Sequence, residues 1–125
     1  MLTDTTFWID LLRERHDRRV GPARRFIARH RSFALEVSIV TWGELAVGFP
    51  NSSDLDLLLR SVNVLMLPRQ VAWEASRVER ELLDSGVRLG ENDRWIAGTA
   101  RVWGLRLVTR DEAFRRVPRL SVVSY

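Results

Sequence analysis

Four carboxylates, Asp4, Glu44, Asp93 and Asp111, stand where acidic groups on different parts of this 125-residue chain could share one site. Each follows a stretch that reads as a strand, or opens the helix that leads into one. Four such groups in one crevice would repel one another and raise some of their pKa values unless a cation compensates. Oxygen ligands suit Mg2+ or Mn2+, which commonly take one or two carboxylates per ion and complete the shell with water and substrate phosphate. A metal there would activate a water, polarise a phosphoryl group and stabilise the leaving oxygen. The chemistry indicated is metal-assisted phosphodiester hydrolysis. Plainer explanations exist for single residues. Glu44 lies three positions after Thr41, the spacing of a capping box, and Asp93 or Asp111 at a helix start is favoured by the macrodipole.

The elements that must position these groups follow from periodicity. Met1 to Thr3 is a very short strand ending at Asp4, and Thr5 and Thr6 can cap a helix with Trp8, Leu11 and Leu12 inward. Pro22 opens a second helix with Ala23, Phe26, Ile27 and His30 on one face. Leu35, Val37 and Ile39 alternate with polar residues as a strand does, and a short helix through Glu44 ends at Pro50. Ser53 with Asp56 opens another helix, with Leu55, Leu58, Leu59 and Val62 as its stripe. Val64 to Leu67 is a third strand, and Arg69 to Ser85 a long helix with Val71, Ala75, Val78 and Leu82 inward. Trp73 lies about opposite that stripe and is not core. Asn92 caps the next helix, whose apolar stripe is Ile96, Ala97, Ala100 and Trp103. Gly104 ends it, Leu105 to Val108 is a strand, and Asp111 begins a short helix before a last strand around Leu120 to Val123. Strands separated by helices predict an α/β fold, a parallel sheet with helices on both faces. Its crevice lies beyond the carboxyl ends of the strands at a topological switch point, where all four carboxylates could meet. Asp10, Asp17, Asp54, Asp56 and Asp84 lack such placement and are expected to be solvated.

Length and composition, 46% hydrophobic and 29% charged, predict a single domain over residues 1–125. No apolar run approaches the roughly 20 residues needed to span a bilayer, and Asp4 interrupts any signal-peptide pattern, so a cytoplasmic location is expected. The absence of cysteine removes disulfides, thiol nucleophiles and thiolate zinc sites. All twenty basic residues are arginine. Without lysine the chain cannot carry a P-loop site, Schiff-base chemistry or a kinase centre, and a receiver-type phosphoacceptor domain is disfavoured. Genomic base composition is the plain cause of such a bias, yet a net charge of +4 still makes a polyanion the natural partner.

Four local pieces together resemble the PIN-domain proteins of the VapC toxin type. They are Leu2-Thr3-Asp4-Thr5 with Phe7 to Asp10, Glu44 to Gly48, Asn92 to Ala97, and Val108-Thr109-Arg110-Asp111 followed by Phe114. The resemblance implies a three-layer fold with a parallel five-stranded sheet, an acidic Mg2+ or Mn2+ site and endoribonuclease activity on RNA. It also implies a homodimer neutralised by a VapB-type antitoxin. Carried over by position, Asp4, Glu44, Asp93 and Asp111 are the acidic quartet, with Thr109 as a supporting hydroxyl. Thr6 stands where asparagine is common in the family, and its hydroxyl can still donate a hydrogen bond.

Several features stay open between function and packing. From Arg13 to Arg31 the chain carries eight arginines, and those of the second helix, Arg24, Arg25, Arg29 and Arg31, can follow an RNA backbone, contact an acidic antitoxin segment or be solvated. Trp8, Trp42 and Trp95 near the site can stack bases or pack in the core. Trp73 fits a dimer or antitoxin interface, or stacking with a neighbouring arginine. His30 is expected to be packed and His16 exposed. The competing function is a catalytically silent PIN-fold RNA-binding or regulatory module. An aspartate-nucleophile phosphatase is disfavoured because Thr6 stands where a second catalytic aspartate is expected.

Overall fold

A computed structural model describes residues 1–125. Five short strands, β1 (Leu2–Thr3), β2 (Glu36–Ser38), β3 (Asn63–Leu65), β4 (Leu107–Val108) and β5 (Val122–Val123), form one sheet. Their order is β3-β2-β1-β4-β5 and every pairing is parallel. Between them run α1 (Thr5–His16), α2 (Pro22–Arg29), α3 (Ile39–Ala46), α4 (Ser52–Leu58), α5 (Arg69–Asp84) and α6 (Glu91–Val102), with a 3₁₀ turn at Glu112–Arg116. The α/β reading from periodicity therefore holds in element order and in sheet direction. No helix is long and apolar enough to cross a membrane.

Alternation along the strands divides the core between the two faces of the sheet. Val37 and Val108 point into a cluster with Phe7, Trp8, Leu11, Phe26, Leu45 and Leu55, contributed by α1 to α4. Leu2 and Leu107 point the other way, against Val78, Leu82, Ile96, Ala97 and Ala100 of α5 and α6. The result is three layers. The chain moves outward from β1 to β2 and β3, then returns through α5 and α6 to β4 on the other side of β1. The gap between β1 and β4 is thus the switch point of the sheet.

The helix starts differ from those read by residue type. Asp4, not Thr5 or Thr6, caps α1, and Ser38 caps α3 by accepting from the Thr41 amide at 3.0 Å. Thr41 and Glu44 lie inside α3, so they form no capping box. Asn51 replaces the Ser53 pair at α4, and Gly90 precedes α6, leaving Asn92 inside the helix. The common cause is that a cap is the last extended residue of the incoming chain, whatever capable side chains follow. Trp103 departs from its expected place as well. It lies past the last turn of α6 and is 49% exposed.

The α5–α6 pair, which carries Asp93, approaches closely at Gly98. A Cβ there would lie 2.9 Å from the Ala75 nitrogen and 3.0 Å from the Val71 carbonyl oxygen. Both obstacles are backbone, so the helices must part to admit it. Gly98→Ala is expected to destabilise the protein by about 1–3 kcal/mol in urea unfolding. Gly43→Ala, in α3 where nothing lies within 4 Å of the added carbon, is expected to stabilise it by about 0.5–1 kcal/mol. Equal responses would contradict the close approach.

Candidate active site

Asp4 leaves β1 with extended backbone and is 3% exposed. One carboxylate oxygen accepts from the Phe7 amide at 2.8 Å, and the other accepts from the Thr109 hydroxyl at 2.5 Å. Thr109 is itself buried beyond β4, and its Oγ1 also accepts from the Asp111 amide at 3.0 Å. One hydroxyl therefore joins Asp4 to the turn that presents Asp111. Asp111 caps the 3₁₀ turn through the Ala113 amide at 2.8 Å and is otherwise exposed.

Glu44 is reached from two other elements. Its Oε2 accepts from the Thr5 hydroxyl at the start of α1, and its Oε1 accepts from Asn92 Nδ2 of α6 at 2.8 Å. Asn92 is legible as a polar helix-start residue, but its partner lies 48 positions away and no local spacing reveals it. Thr6, expected to support the site, is exposed and its hydroxyl makes no hydrogen bond within the protein. Thr5 holds the carboxylate instead, because the residue directly after the cap faces α3.

Asp93 sits in the first turn of α6, half-buried, with no donor of the protein meeting its carboxylate. Burial, then the charges of Asp111, Glu44 and Asp4, push its pKa up to about 6. Burial likewise raises Asp4, against the hydrogen bonds from Thr109 and Phe7, with Asp111 and Asp10 adding to the rise. Asp93 thus feels the charges of the other three sequence-predicted carboxylates. Neighbouring arginines do not relieve them. Arg94 pairs with Glu79, and Arg110 pairs with Asp10 at 2.5 Å.

Asp10, expected to be solvated, is not. Its Oδ2 receives both Arg110 and the Tyr125 hydroxyl, the latter at 2.7 Å, and its side chain is 14% exposed. No local signal exists because both partners lie about 100 or more positions further along the chain. Trp8 is buried and donates to Thr3 Oγ1 at 2.8 Å, which excludes it from base stacking, whereas Trp42 and Trp95 are half-buried. His30 stacks on Phe26 with centroids 4.1 Å apart, as packing requires.

No three acidic side chains close around a single point as a ready cage would. The donor set still fits Mg2+ or Mn2+, because these ions keep several waters and need one or two carboxylates each. Asp93, raised by its acidic neighbours and unmet by any donor, is the group a cation would relieve most.

Residues 1–120 match the family model described as PIN domain. The chain is 27% identical over 99 residues to the protein described as Ribonuclease VapC4 from Mycobacterium tuberculosis (strain ATCC 25618 / H37Rv), which covers 70% of this chain and 75% of that protein. Among solved structures it is similar to VapBC-1 from nontypeable Haemophilus influenzae, with a TM-score of 0.81 and 28% identity over 98% of this chain and 96% of that one. VapBC2 from Rickettsia felis, bound to a DNA fragment from its promoter, gives a TM-score of 0.83 at 20% identity, over 98% of this chain and 96% of that one, which is a likeness of fold.

A raised folded-state pKa means that the folded protein holds the Asp93 proton more tightly than the unfolded chain between about pH 4 and 6. Stability then rises as pH falls through that window and is lowest above it. In metal-free protein, the wild-type melting temperature is expected to increase from about pH 7.5 to about pH 5. Asp93→Asn is expected to be more stable than wild type at about pH 7.5 by roughly 1–2 kcal/mol, a few °C, and to lose part of the pH response. Calorimetry giving identical curves for the two proteins would contradict the shared-charge site.

Proposed function

Since the chain belongs to the PIN-domain family, we propose that it is a metal-dependent endoribonuclease acting in the cytoplasm as the VapC-type toxin of a toxin–antitoxin pair. The observation that carries the reading is Asp93, which meets no donor of the protein and is pushed up to about 6 by burial and the charges of Asp111, Glu44 and Asp4, while the nearby arginines pair elsewhere. The curated relative named as a ribonuclease supports the reaction class. Relatives solved as toxin–antitoxin complexes support a VapB-type antitoxin as partner. A homodimer of single PIN-like domains over residues 1–125 completes the proposal.

In this reading Asp4, Glu44, Asp93 and Asp111 hold the metal, directly or through water. When bound, Mg2+ or Mn2+ supplies the activated water and the electrophilic pull on the phosphodiester. Thr109 fixes the rotamer of Asp4 and the turn before Asp111. Thr5 and Asn92 fix Glu44 from opposite sides. Thr6, exposed beside them, is free to donate to a substrate phosphate oxygen. An RNA strand would be repelled by the bare acids and admitted once their charge is compensated.

The competing reading is a catalytically silent PIN-fold RNA-binding or regulatory module. End-mapping of total cellular RNA incubated with purified protein and Mn2+ separates the two. Discrete new 5′ ends are expected, absent with EDTA and reduced at least about 100-fold in rate by Asp93→Asn, a loss of roughly 3 kcal/mol of transition-state stabilisation. Unchanged cleavage by that variant would remove Asp93 from the site. Intact RNA at all protein concentrations would favour the silent module.

A further inference from the structure

The segment from Arg13 to Arg31 sets eight arginines against only Glu14 and Asp17. That is more positive charge than the whole chain carries net, +4, so the rest of the molecule is net negative. Glu14 does not offset it at the surface. It is buried at 1% exposure, and its two oxygens accept the Ala23 and Arg24 amides at 3.0 and 2.9 Å, capping α2. Of the eight arginines, only Arg19 has an acidic partner, the exposed Asp17 at 3.5 Å. On the α5–α6 side four arginines, Arg77, Arg94, Arg101 and Arg119, pair with glutamates, whereas Arg69, Arg80 and Arg88 do not.

Part of this unpaired charge lines a cleft. Between α2 and the chain's end is a groove of about 390 Å³, with Arg25, Arg29, His30 and Tyr125 in its walls. Arg25 is steadied by a hydrogen bond to the Val20 carbonyl at 2.8 Å, which leaves its charge uncompensated. The groove leads toward the acidic rim. Tyr125 donates to Asp10, Asp10 pairs with Arg110, and Arg110 lies over the Tyr125 ring at 5.4 Å and directly precedes Asp111.

We propose that the groove between α2 and Tyr125, walled by Arg25 and Arg29, is the site where the phosphate backbone of an RNA strand is held as it runs from the acidic rim. This rests on the endoribonuclease reading for the identity of the strand. Any polyanion would answer the charge, and guanidinium forks match phosphate oxygens bidentately. Arg110, held between Asp10 and Tyr125, is the basic residue bridging groove and rim. An acidic polypeptide is the competing occupant.

The test uses full-length protein in EDTA, so that binding is read without cleavage. Fluorescein-labelled oligouridylate is followed by anisotropy between about 50 and 200 mM salt. Arg25→Gln combined with Arg29→Gln is expected to raise Kd about tenfold and to lower the salt slope by about 1.4, near 0.7 for each phosphate no longer neutralised. Arg80→Gln with Arg88→Gln, two exposed arginines without acidic partners, removes the same charge elsewhere and is expected to leave both quantities unchanged. Equal losses in the two double variants would mean that net charge alone attracts RNA, overturning the groove. An α2 variant that binds RNA normally but loses affinity for poly-glutamate would assign the groove to an acidic polypeptide and overturn the proposal. With Mn2+ added, the α2 variant is expected to raise KM for RNA cleavage and leave kcat near wild type. If wild type binds RNA through the groove yet cleaves nothing, the nuclease reading fails while the groove stands.

Discussion

The Asp4 carboxylate anchors the whole site. A buried carboxylate is costly unless its oxygens are met, and here one oxygen caps α1 while the other accepts the Thr109 hydroxyl. Those two bonds tie the end of β1 to the first turn of α1 and to the end of β4. They also set the turn in which Thr109 receives the Asp111 amide. The same residue is therefore a helix cap, a clamp across the switch point and a member of an acidic cluster. Its structural bonds stabilise the charged form, and its burial opposes that form. This balance keeps a carboxylate at the centre of the fold with less penalty than an unmet one would carry.

Charge is distributed on a consistent plan around that centre. Glutamates on α5 take up Arg94 and Arg101 of α6 and Arg119 beyond it, with Arg101 and Arg119 each meeting both Glu74 and Glu81. Asp10 takes up Arg110, so the acids at the rim keep their mutual repulsion. On the α1–α2 side the arginines have almost no partners. An acidic rim that wants a cation thus lies near a basic surface that wants an anion. In the proposed reading, a phosphodiester strand with a divalent cation would answer both requirements.

Much of this is legible in the sequence. Helical stripes, one period-two stretch and short apolar runs place the elements in order, and their alternation implies a parallel sheet with a crevice at the switch point. Asp4, Asp93 and Asp111 are visible because each sits at a helix start, whereas Glu44 lies inside α3. What stays hidden is the pairing across the fold. Glu44 with Thr5 and Asn92, Asp10 with Arg110 and Tyr125, and Glu14 with the start of α2 are joined only by tertiary packing. Cap identities are hidden for a related reason. Asp4, Ser38 and Asn51 each precede another polar residue that looks as capable, and the true cap is where the incoming chain stops being extended. The exposure of Trp103 has the same origin, since the stripe of α6 ends with the helix.

If the carboxylates at the β1/β4 switch point form one electrostatic unit completed by a divalent cation, metal-free protein must bind that cation there. Titration of Mn2+ into the metal-free protein, with free ion read by electron paramagnetic resonance, measures this. Saturable binding is expected at about pH 7.5, weakening as pH is lowered through about 6, where Asp93 takes up its proton. Asp4→Asn and Asp93→Asn are each expected to remove that binding, while Asp84→Asn, on the exposed end of α5, retains it. Binding that is non-saturable, or that survives both site substitutions, would contradict a shared carboxylate site for the cation.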